Sequence, residues 1–429
     1  MSLSRCFILR LLTSAIGIIF PLLVGAESQL SLRSLQNDFL AARQVDSLYL
    51  AGVAQYQGGN LLAQAAGLTF LPQLRLGSAQ LESEFGGRRN SASIVQPLFS
   101  ATRITTLRSQ KPLSNLAGAQ LIQREIDLAR RMFGAYLQVI SAREGLIQNQ
   151  AQLDALNQQR RSAQRLHELS FGTLTDMRDA EVRVFQAQAD RLRLQSQLET
   201  AQSLYSAIVG QMPPSGRVVL DEAHLAEWEN RVRQMQERMM DLTAVVAQNP
   251  AVRIARSIRE LAELDATRAK LLLLPDVNAN YTYTSINSTG NHFAGISLSM
   301  PLEVSGVIGI QTAGAKAAQT AAEMQDVERT VTLEVERLLR EVRLGSIDAR
   351  LAQSAVEAAQ LSVEANEKSY RGGVRTSVDV LNAIDLLYTV RTSQVRTMLA
   401  LADNLLNLFL LDSLQPAQSL MDLERILLS

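Results

Sequence analysis

Cysteine and aromatic side chains are what this chain most lacks. One cysteine in 429 residues excludes a disulfide framework and any zinc cluster built on paired cysteines. Aromatic residues supply 5% against 47% hydrophobic residues overall. That is too few for the two or three aromatic-rich globular cores the length would otherwise suggest. Neither sign of charge is in excess, since 42 basic residues stand against 42 acidic ones. The basic footprint that a nucleic-acid binder needs to displace counterions is therefore missing. Histidine is scarce too: His167, His224 and His292 are scattered, with neither metal-ligand spacing nor a paired nucleophile. With no phosphate-binding glycine loop either, the residues point to a non-enzyme that takes no cofactor and no metal.

Proline is sparse in a patterned way. The ten prolines lie at 21, 72, 97, 112, 213, 214, 250, 275, 301 and 416, so residues 113–212 and 302–415 contain none. Both tracts are rich in Ala, Leu, Gln, Glu and Arg and read as very long helices. The single long apolar run, Leu11 to Leu23, follows Arg5 and Arg10 and precedes Val24-Gly25-Ala26. It is short of the roughly 20 residues a membrane span needs. Residues 1–26 therefore read as a signal peptide cut after Ala26, with a membrane anchor as the rival reading. No cysteine stands at the cut, which excludes a lipoprotein anchor.

The chain repeats itself at an offset of 203. Leu71-Pro72 returns as Leu274-Pro275, Asp46-Ser47 as Asn249-Pro250, and Thr173-Leu-Thr-Asp176 as Thr376-Ser-Val-Asp379. Gln96-Pro97-Leu98 is echoed one residue out of step by Met300-Pro301-Leu302. Two halves follow, 27–229 and 230–429, with the seam beyond Pro213-Pro214-Ser215-Gly216. In the first long tract Met132, Ala135, Val139, Ala142, Leu146, Leu153, Leu156 and Ala163 fall at heptad spacing. The same register 203 residues on gives Val335, Leu338, Val342, Gly345, Ala349, Val356, Ala359 and Asn366. Such a seam of small and aliphatic residues signals a coiled coil. An amphipathic helix in a globular core is the plainer reading, but a helix from Ser100 to Glu168 would be ~100 Å long. Pro112 should kink it, and the counterpart Ala315 should leave the second rod straight.

Between the helices of each half lies a strand-like stretch. Val277, Ala279, Tyr281 and Tyr283 alternate with Asn278, Asn280, Thr282 and Thr284. After a turn at Ser288-Thr289-Gly290-Asn291, Ile296, Leu298 and Met300 alternate with serines. In the first half Leu74 and Leu76 point one way, Ala79 and Leu81 the other. Gly86 to Asn90 then turns the chain, and Ile94 and Leu98 carry the return strand. The hairpins are expected at about 73–98 and 276–301. Period-two alternation of this length fits a membrane-spanning strand, and equally a soluble antiparallel hairpin. Four strands cannot close, and lipid tolerates no open sheet edge. If these strands span a membrane the chain must oligomerise: two copies give eight strands, three twelve, four sixteen.

Taken together these features resemble the TolC-type outer-membrane channel family. The most specific stretch is Tyr370-Arg-Gly-Gly373-Val-Arg375-Thr376-Ser-Val-Asp379-Val-Leu-Asn382-Ala383, which is similar to that family's second-repeat turn. Leu-Pro before each hairpin, Gln96-Pro97-Leu98-Phe99, Ala135-Tyr136-Leu137 and Ser170-Phe-Gly-Thr-Leu-Thr175-Asp176 also match. The resemblance implies a mainly α fold with a small β part. The protomer would be a two-repeat, long-helix piece of an α-barrel, whose two β-hairpins complete a trimeric twelve-stranded membrane β-barrel. It implies a homotrimer in the outer membrane of a Gram-negative bacterium, extending into the periplasm. Its partners would be a periplasmic adaptor (a membrane fusion protein) and an inner-membrane ABC or other pump. Three positions depart from the family pattern. Ser170 stands where a glycine is usual, so the first turn is expected to be tighter or differently shaped; Ser47 replaces a proline; and Asn382 stands where a second acid is usual, three residues after Asp379.

Each half places Thr-x-x-Asp after a break between helices. Elementary chemistry reads this as a helix cap: Thr173 and Thr376 cap, and the acids approximate a capping box. The resemblance adds a gate at the periplasmic tip. There Asp176 would accept hydrogen bonds from Arg375 or Tyr370 as a latch, and Asp379, with Asn382 beside it, would line the pore constriction. Both readings hold together, because capping uses one carboxylate oxygen. For the whole chain the expectation is a passive exit duct, most consistent with type I protein secretion. Small-molecule efflux in a tripartite pump is the alternative, and a periplasmic adaptor or coiled-coil surface protein the non-channel one.

Overall fold

The computed structural model describes residues 35–81, 87–214, 230, 233–234, 242–286, 289–300, 304–412 and 416–427. The expected signal peptide (1–26), His224 and the expected seam between the halves lie outside them. The elements are α1 (Leu35–Val45), α2 (Ser47–Gly67), β1 (Gln73–Leu81), β2 (Gly87–Phe99), α3 (Ala101–Arg108), α4 (Gln110–Glu168) and α5 (Leu174–Val209). Then follow α6 (Leu242–Gln248), α7 (Pro250–Leu271), β3 (Asp276–Ile286), β4 (Thr289–Ser299), α8 (Val304–Arg371), α9 (Ser377–Asp412) and α10 (Pro416–Leu427).

Length governs how these pieces lie. Helix α4 has 59 residues and α8 has 68, roughly 90 and 100 Å of rod. No single neighbour is that long, so each rod is covered in two stages. From the turn inward, α5 covers α4 and α9 covers α8; nearer the sheet, α2 and α7 take over. Helix α2 runs antiparallel to α4, with Gly52 against Arg124, Gly59 against Ala117 and Gly67 against Gln110. At Gly59 a Cβ would stand 2.8 Å from the Ala117 Cβ, so this approach requires glycine. The break comes where predicted. Helix α3 ends at Arg108 and α4 starts at Gln110, because Pro112 has no N–H to offer the Arg108 carbonyl and its ring crowds that group. With Ala315 in its place, α8 continues unbroken.

The heptad seam is the buried stripe. Met132, Ala135, Val139, Ala142, Leu153, Leu156 and Ala163 are buried on α4, with Leu146 half-buried; Val335, Leu338, Val342, Ala349 and Ala359 are buried on α8. The main apolar cluster gathers where α5 and α9 end. It packs Phe39 of α1, Phe133 and Tyr136 of α4, Tyr205 of α5, Leu338 of α8, Leu405 of α9 and Leu420 of α10. A second, smaller cluster lies toward the inter-helix turns and is formed by Leu153, Leu156, Ala180, Val184, Val380, Leu381 and Ile384.

The four strands form one antiparallel sheet in the order β1-β2-β3-β4, so the two hairpins join through β2 and β3. Both ladders zip further than the sequence suggested. Gly87 to Asn90, expected to turn the chain, belong to β2, and Thr289 to Asn291 to β4. The register stacks side chains in rows. Leu74, Ile94, Tyr281 and Ala294 make one row, Leu76, Ala92, Tyr283 and His292 the next. Toward the turns the same face becomes polar with Ser78, Asn90 and Ser285. The opposite face carries mostly Arg, Asn, Ser and Thr. The apolar face is open: Leu76 is 76% and Ile296 75% exposed. Beyond β1 and β4 the sheet ends in unpaired edges.

Where α2 begins, Asp46 caps it by accepting from the Tyr49 N–H at 2.8 Å. The same carboxylate takes two bonds from Arg131 of α4, at 2.8 and 2.9 Å, with its side chain 7% exposed. The Arg131 guanidinium, ahead of the Tyr49 cap bond, holds the Asp46 carboxyl below its ordinary value. The counterpart cap, Asn249, is neutral and accepts from the Ala251 N–H. Fittingly, Glu334 occupies the position 203 residues after Arg131 and pairs with Arg337 instead.

The two inter-helix turns are superimposable in their hydrogen bonding. Phe171 N–H donates to Leu166 O and Ser170 N–H to His167 O; 203 residues on, Val374 N–H donates to Ser369 O and Gly373 N–H to Tyr370 O. This is the Schellman closure, which demands a left-handed residue after the helix. Ser170 adopts it at φ 62 and Gly373 at φ 73. The first turn is thus not tighter or differently shaped; the closure imposes the glycine conformation on a serine.

Two predictions follow from these local balances. Ser170→Gly should stabilise the first turn by up to about 1 kcal/mol, the left-handed cost relieved less the extra entropy of glycine. Slower amide exchange at Ser170 and Phe171 would register it. Asp46→Ala should cost about 1–3 kcal/mol, losing both a cap and a largely buried ion pair, and lower the thermal unfolding midpoint in detergent. Because its folded pKa is depressed, Asp46 contributes stability above its unfolded pKa, and that contribution is lost as pH falls through the folded value. Asp46→Asn, which keeps the cap, should lose less and flatten that acid dependence.

Candidate functional site

The residues singled out in the sequence lie around the two turns. Both Thr-x-x-Asp segments fold as capping boxes. Thr173 Oγ1 accepts from the Asp176 N–H at 3.1 Å, while its own N–H and hydroxyl donate to Asp176 Oδ2 at 3.3 and 2.6 Å. Thr376 and Asp379 repeat this at 3.2, 2.9 and 2.9 Å. In both acids every cap bond runs to Oδ2, which leaves Oδ1 outside the cap. For Asp379 that oxygen stands 3.9 Å from Arg375 Nη1. The Thr376 N–H, then its hydroxyl, and lastly the Arg375 charge hold the Asp379 carboxyl below its ordinary value. Asp379 is ionised throughout the neutral range, half-exposed and one turn into α9.

Tyr370 closes the end of α8. It is half-buried against the small cluster, and burial pushes its phenol up. Ser377 at the start of α9 and the charge of Asp176 are both near enough to act on the phenol. The structure thus brings Tyr370 beside Asp176 and Arg375 beside Asp379. Within one protomer it does not join Asp176 to Arg375.

Asn382 is placed differently from its neighbours on α9. Its Oδ1 accepts from Arg183 Nη2 of α5 at 3.0 Å. The same guanidinium forms an ion pair with Asp385 through its other terminal nitrogen, and Gln152 of α4 donates to Asp385 Oδ1 at 3.3 Å. Just toward the turn, buried Gln159 donates to Ser377 Oγ at 3.0 Å. Arg183, Asp385, Gln152 and Gln159 were not singled out in the sequence. The one signal available was Asp385 itself, an acid between Ile384 and Leu386 in an otherwise apolar stretch of helix.

Among the described residues no helix is long and apolar enough to cross a membrane, and no group of His, Cys, Asp or Glu is arranged to hold a metal ion. His167 makes a local contact to the Gly172 carbonyl, and His292 one to the Tyr281 hydroxyl.

Comparison with known proteins agrees with this architecture. Residues 242–412 match the family described as outer membrane efflux protein. The outer membrane protein TolC of Vibrio cholerae serotype O1 is 24% identical over 397 residues, covering 86% of this chain and 89% of that protein. The proteases secretion protein PrtF of Dickeya chrysanthemi is 24% identical over 318 residues, 70% and 67% of the two chains. Among solved structures, the Campylobacter jejuni CmeC outer membrane channel superposes with a TM-score of 0.73 at 8% identity, covering 91% of this chain and 89% of that one. The outer membrane protein VceC of Vibrio cholerae superposes with a TM-score of 0.69 at 15% identity, covering 86% and 94%. These structural likenesses establish the fold: a protomer of an α-barrel channel, mainly helical, with two hairpins in one small sheet. With the family match across α6 to α9 and relatives along most of its length, the chain is similar to the TolC-type outer-membrane efflux proteins.

Proposed function

We propose that this protein is the exit duct of a type I protein secretion machine, working as a homotrimer that spans the outer membrane and reaches into the periplasm. The open-edged sheet carries the reading. Its apolar face is bare in the protomer, and lipid tolerates neither an unpaired edge nor an unsatisfied backbone group. Three copies joined edge to edge, β4 of one to β1 of the next, give twelve strands with the apolar rows outward and the polar rows around a lumen. Tyr281 and Tyr283 then sit toward the outer rim, where aromatic side chains favour the membrane interface. The two halves, 27–229 and 230–429, act as repeated units, so three subunits supply six helix pairs to a tunnel wall. A passive duct has no energy source of its own, so a periplasmic adaptor and an inner-membrane ABC transporter would drive it.

Type I secretion is favoured by two relatives whose names state protease secretion: PrtF, and the alkaline protease secretion protein AprF of Pseudomonas aeruginosa. Small-molecule efflux is the second reading, favoured by the efflux protein BepC of Brucella suis biovar 1 among the relatives. Deleting the gene separates the two. Loss of an exported protein with unchanged drug tolerance is the expected result; the reverse would assign the duct to efflux.

The turns would form the periplasmic gate. Arg375 is exposed and only loosely held by Asp379, so in a trimer it can turn to the free Oδ1 of Asp176 on the next subunit, with Tyr370 against the same acid from within. A charge-assisted bond of this kind is worth roughly 1.5–3 kcal/mol. Three such bonds hold a tip shut and still yield to an adaptor. Asp176→Ala combined with Arg375→Ser should therefore raise single-channel conductance in planar bilayers severalfold; unchanged conductance would remove the latch. Asp379→Ala should weaken cation preference and divalent block at the tip, and unaltered selectivity would take Asp379 out of the constriction.

A further inference from the structure

We propose that Arg183, Asn382 and Asp385 form a second, intraprotomer clamp that holds the gate closed, and that Asn382 serves this clamp rather than the pore. The proposal rests on the gated-duct reading above. Asn382 and Asp385 are three residues apart on α9, so their side chains leave the same face of the helix. Opposite them stands Arg183 of α5. Its planar fork reaches both at once, Nη2 to the Asn382 amide oxygen at 3.0 Å and Nη1 to Asp385 Oδ2. Gln152 of α4 takes the other oxygen of Asp385. One carboxylate is thereby tied to two helices of the first half, and α9 is stapled to both.

The position of the clamp gives it leverage. Mostly on its turn side lies the small apolar cluster, whose members Leu153, Val184 and Ile384 directly follow or precede Gln152, Arg183 and Asp385 in sequence. On its other side the three helices part around a polar cleft of about 620 Å³, lined by Gln152, Arg183, Asp190, Asp385, Tyr388 and Arg396. Close packing resists displacement, whereas an open cleft does not. The clamp therefore sits where packing gives out, and beyond it the small cluster, the bond from Gln159 to Ser377 and the turn bonds hold the start of α9 to its neighbours. Both partners keep about a third of their side-chain surface exposed, so the link is screened and reversible rather than a buried pair.

Charge arithmetic explains the asparagine. Arg183 brings one positive charge, and Asp385 already balances it. A second acid at 382 would leave an unpaired negative charge in the same fork, whereas the neutral amide supplies an acceptor and adds none. The residue that departs from the family pattern is then the one that lets a single arginine bridge two helix turns. Neither partner is repeated at the 203 offset, where Leu386 answers Arg183 and Val182 answers Asp385. The clamp's arginine therefore links α5 to α9, the two helices that follow the turns, with no counterpart pair at the 203 offset.

Single-channel recording of full-length trimers in planar bilayers tests this. Wild type should show a low-conductance closed state. Arg183→Ala and Asp385→Ala should each raise mean conductance severalfold, and the double variant no further than either alone, because both remove one link. The charge swap Arg183→Asp with Asp385→Arg should return conductance toward wild type. Arg183→Lys should fall between, since an ammonium can hold Asp385 but cannot bridge to Asn382. If Arg183→Ala fails to assemble, Asp385→Asn carries the same test with the side-chain shape kept. Assembled Arg183 or Asp385 variants with wild-type conductance, beside an Asp176→Ala, Arg375→Ser channel that opens, would overturn the clamp and leave the duct standing. Wild-type trimers that form no pore would overturn the duct itself.

Discussion

A rod 90 to 100 Å long can bury only a stripe of itself, and the rest of this structure follows from that limit. A helix in a globular core is surrounded; α4 and α8 are flanked. Away from the main apolar cluster their buried positions are mostly alanine, valine and leucine, and large rings would hold neighbouring helices apart. Among the described residues the buried rings accordingly gather in one place. Phe39, Phe133, Tyr136 and Tyr205 meet where α5 ends and α1, α2 and α10 come together, a level with enough elements to surround a ring. The low aromatic content thus reflects a wall built one helix thick. It does not reflect a missing core.

The same limit separates the ends of the molecule from its middle. The sheet end is held by backbone ladders, and the middle by the main apolar cluster. The turn end has only a small cluster, two Schellman closures, two capping boxes and a few polar side-chain links. Stability is therefore graded along the rods, with the least at the turns. A gate needs this gradient, because the segment that moves must come free at an energy the rest of the fold does not notice.

What the sequence made legible is what repeats locally. Heptad spacing marked the buried stripe, Pro112 marked the break before α4, and alternation marked β3 and β4, because each is fixed by a few neighbouring residues. The first hairpin was harder to read. Its ladder is regular from Gln73 to Leu81, but its rows turn polar beyond Leu76, so the apolar signal fades while the geometry does not. Ser170 misled for the opposite reason. A residue-type preference suggested a different turn, and the Schellman bonds to Leu166 and His167 overrode it. The link from Arg183 to Asn382 was invisible, since its partners lie 199 residues apart and the duplication does not carry it. Periodicity reports the face of a helix but not the residue that faces it.

The two halves show how a duplicated frame acquires unequal parts. Backbone features recur between them almost bond for bond in the closures and the capping boxes, and Asp46 and Asn249 both cap a helix, though through different N–H groups. Side-chain pairs do not recur. Asp46 is charged and answered by Arg131, whereas Asn249 is neutral and Glu334 turns to Arg337. Backbone closures satisfy groups that every helix end must satisfy, so both copies have to keep them. Ion pairs carry no such obligation, and each half is free to change both partners together. If only one helix pair in each subunit is to move, the asymmetry must lie in features of this second kind. Among the described residues of the turn region, the clamp from α5 to α9 is the one that also engages Asn382, a position where this chain departs from the pattern of the family it resembles.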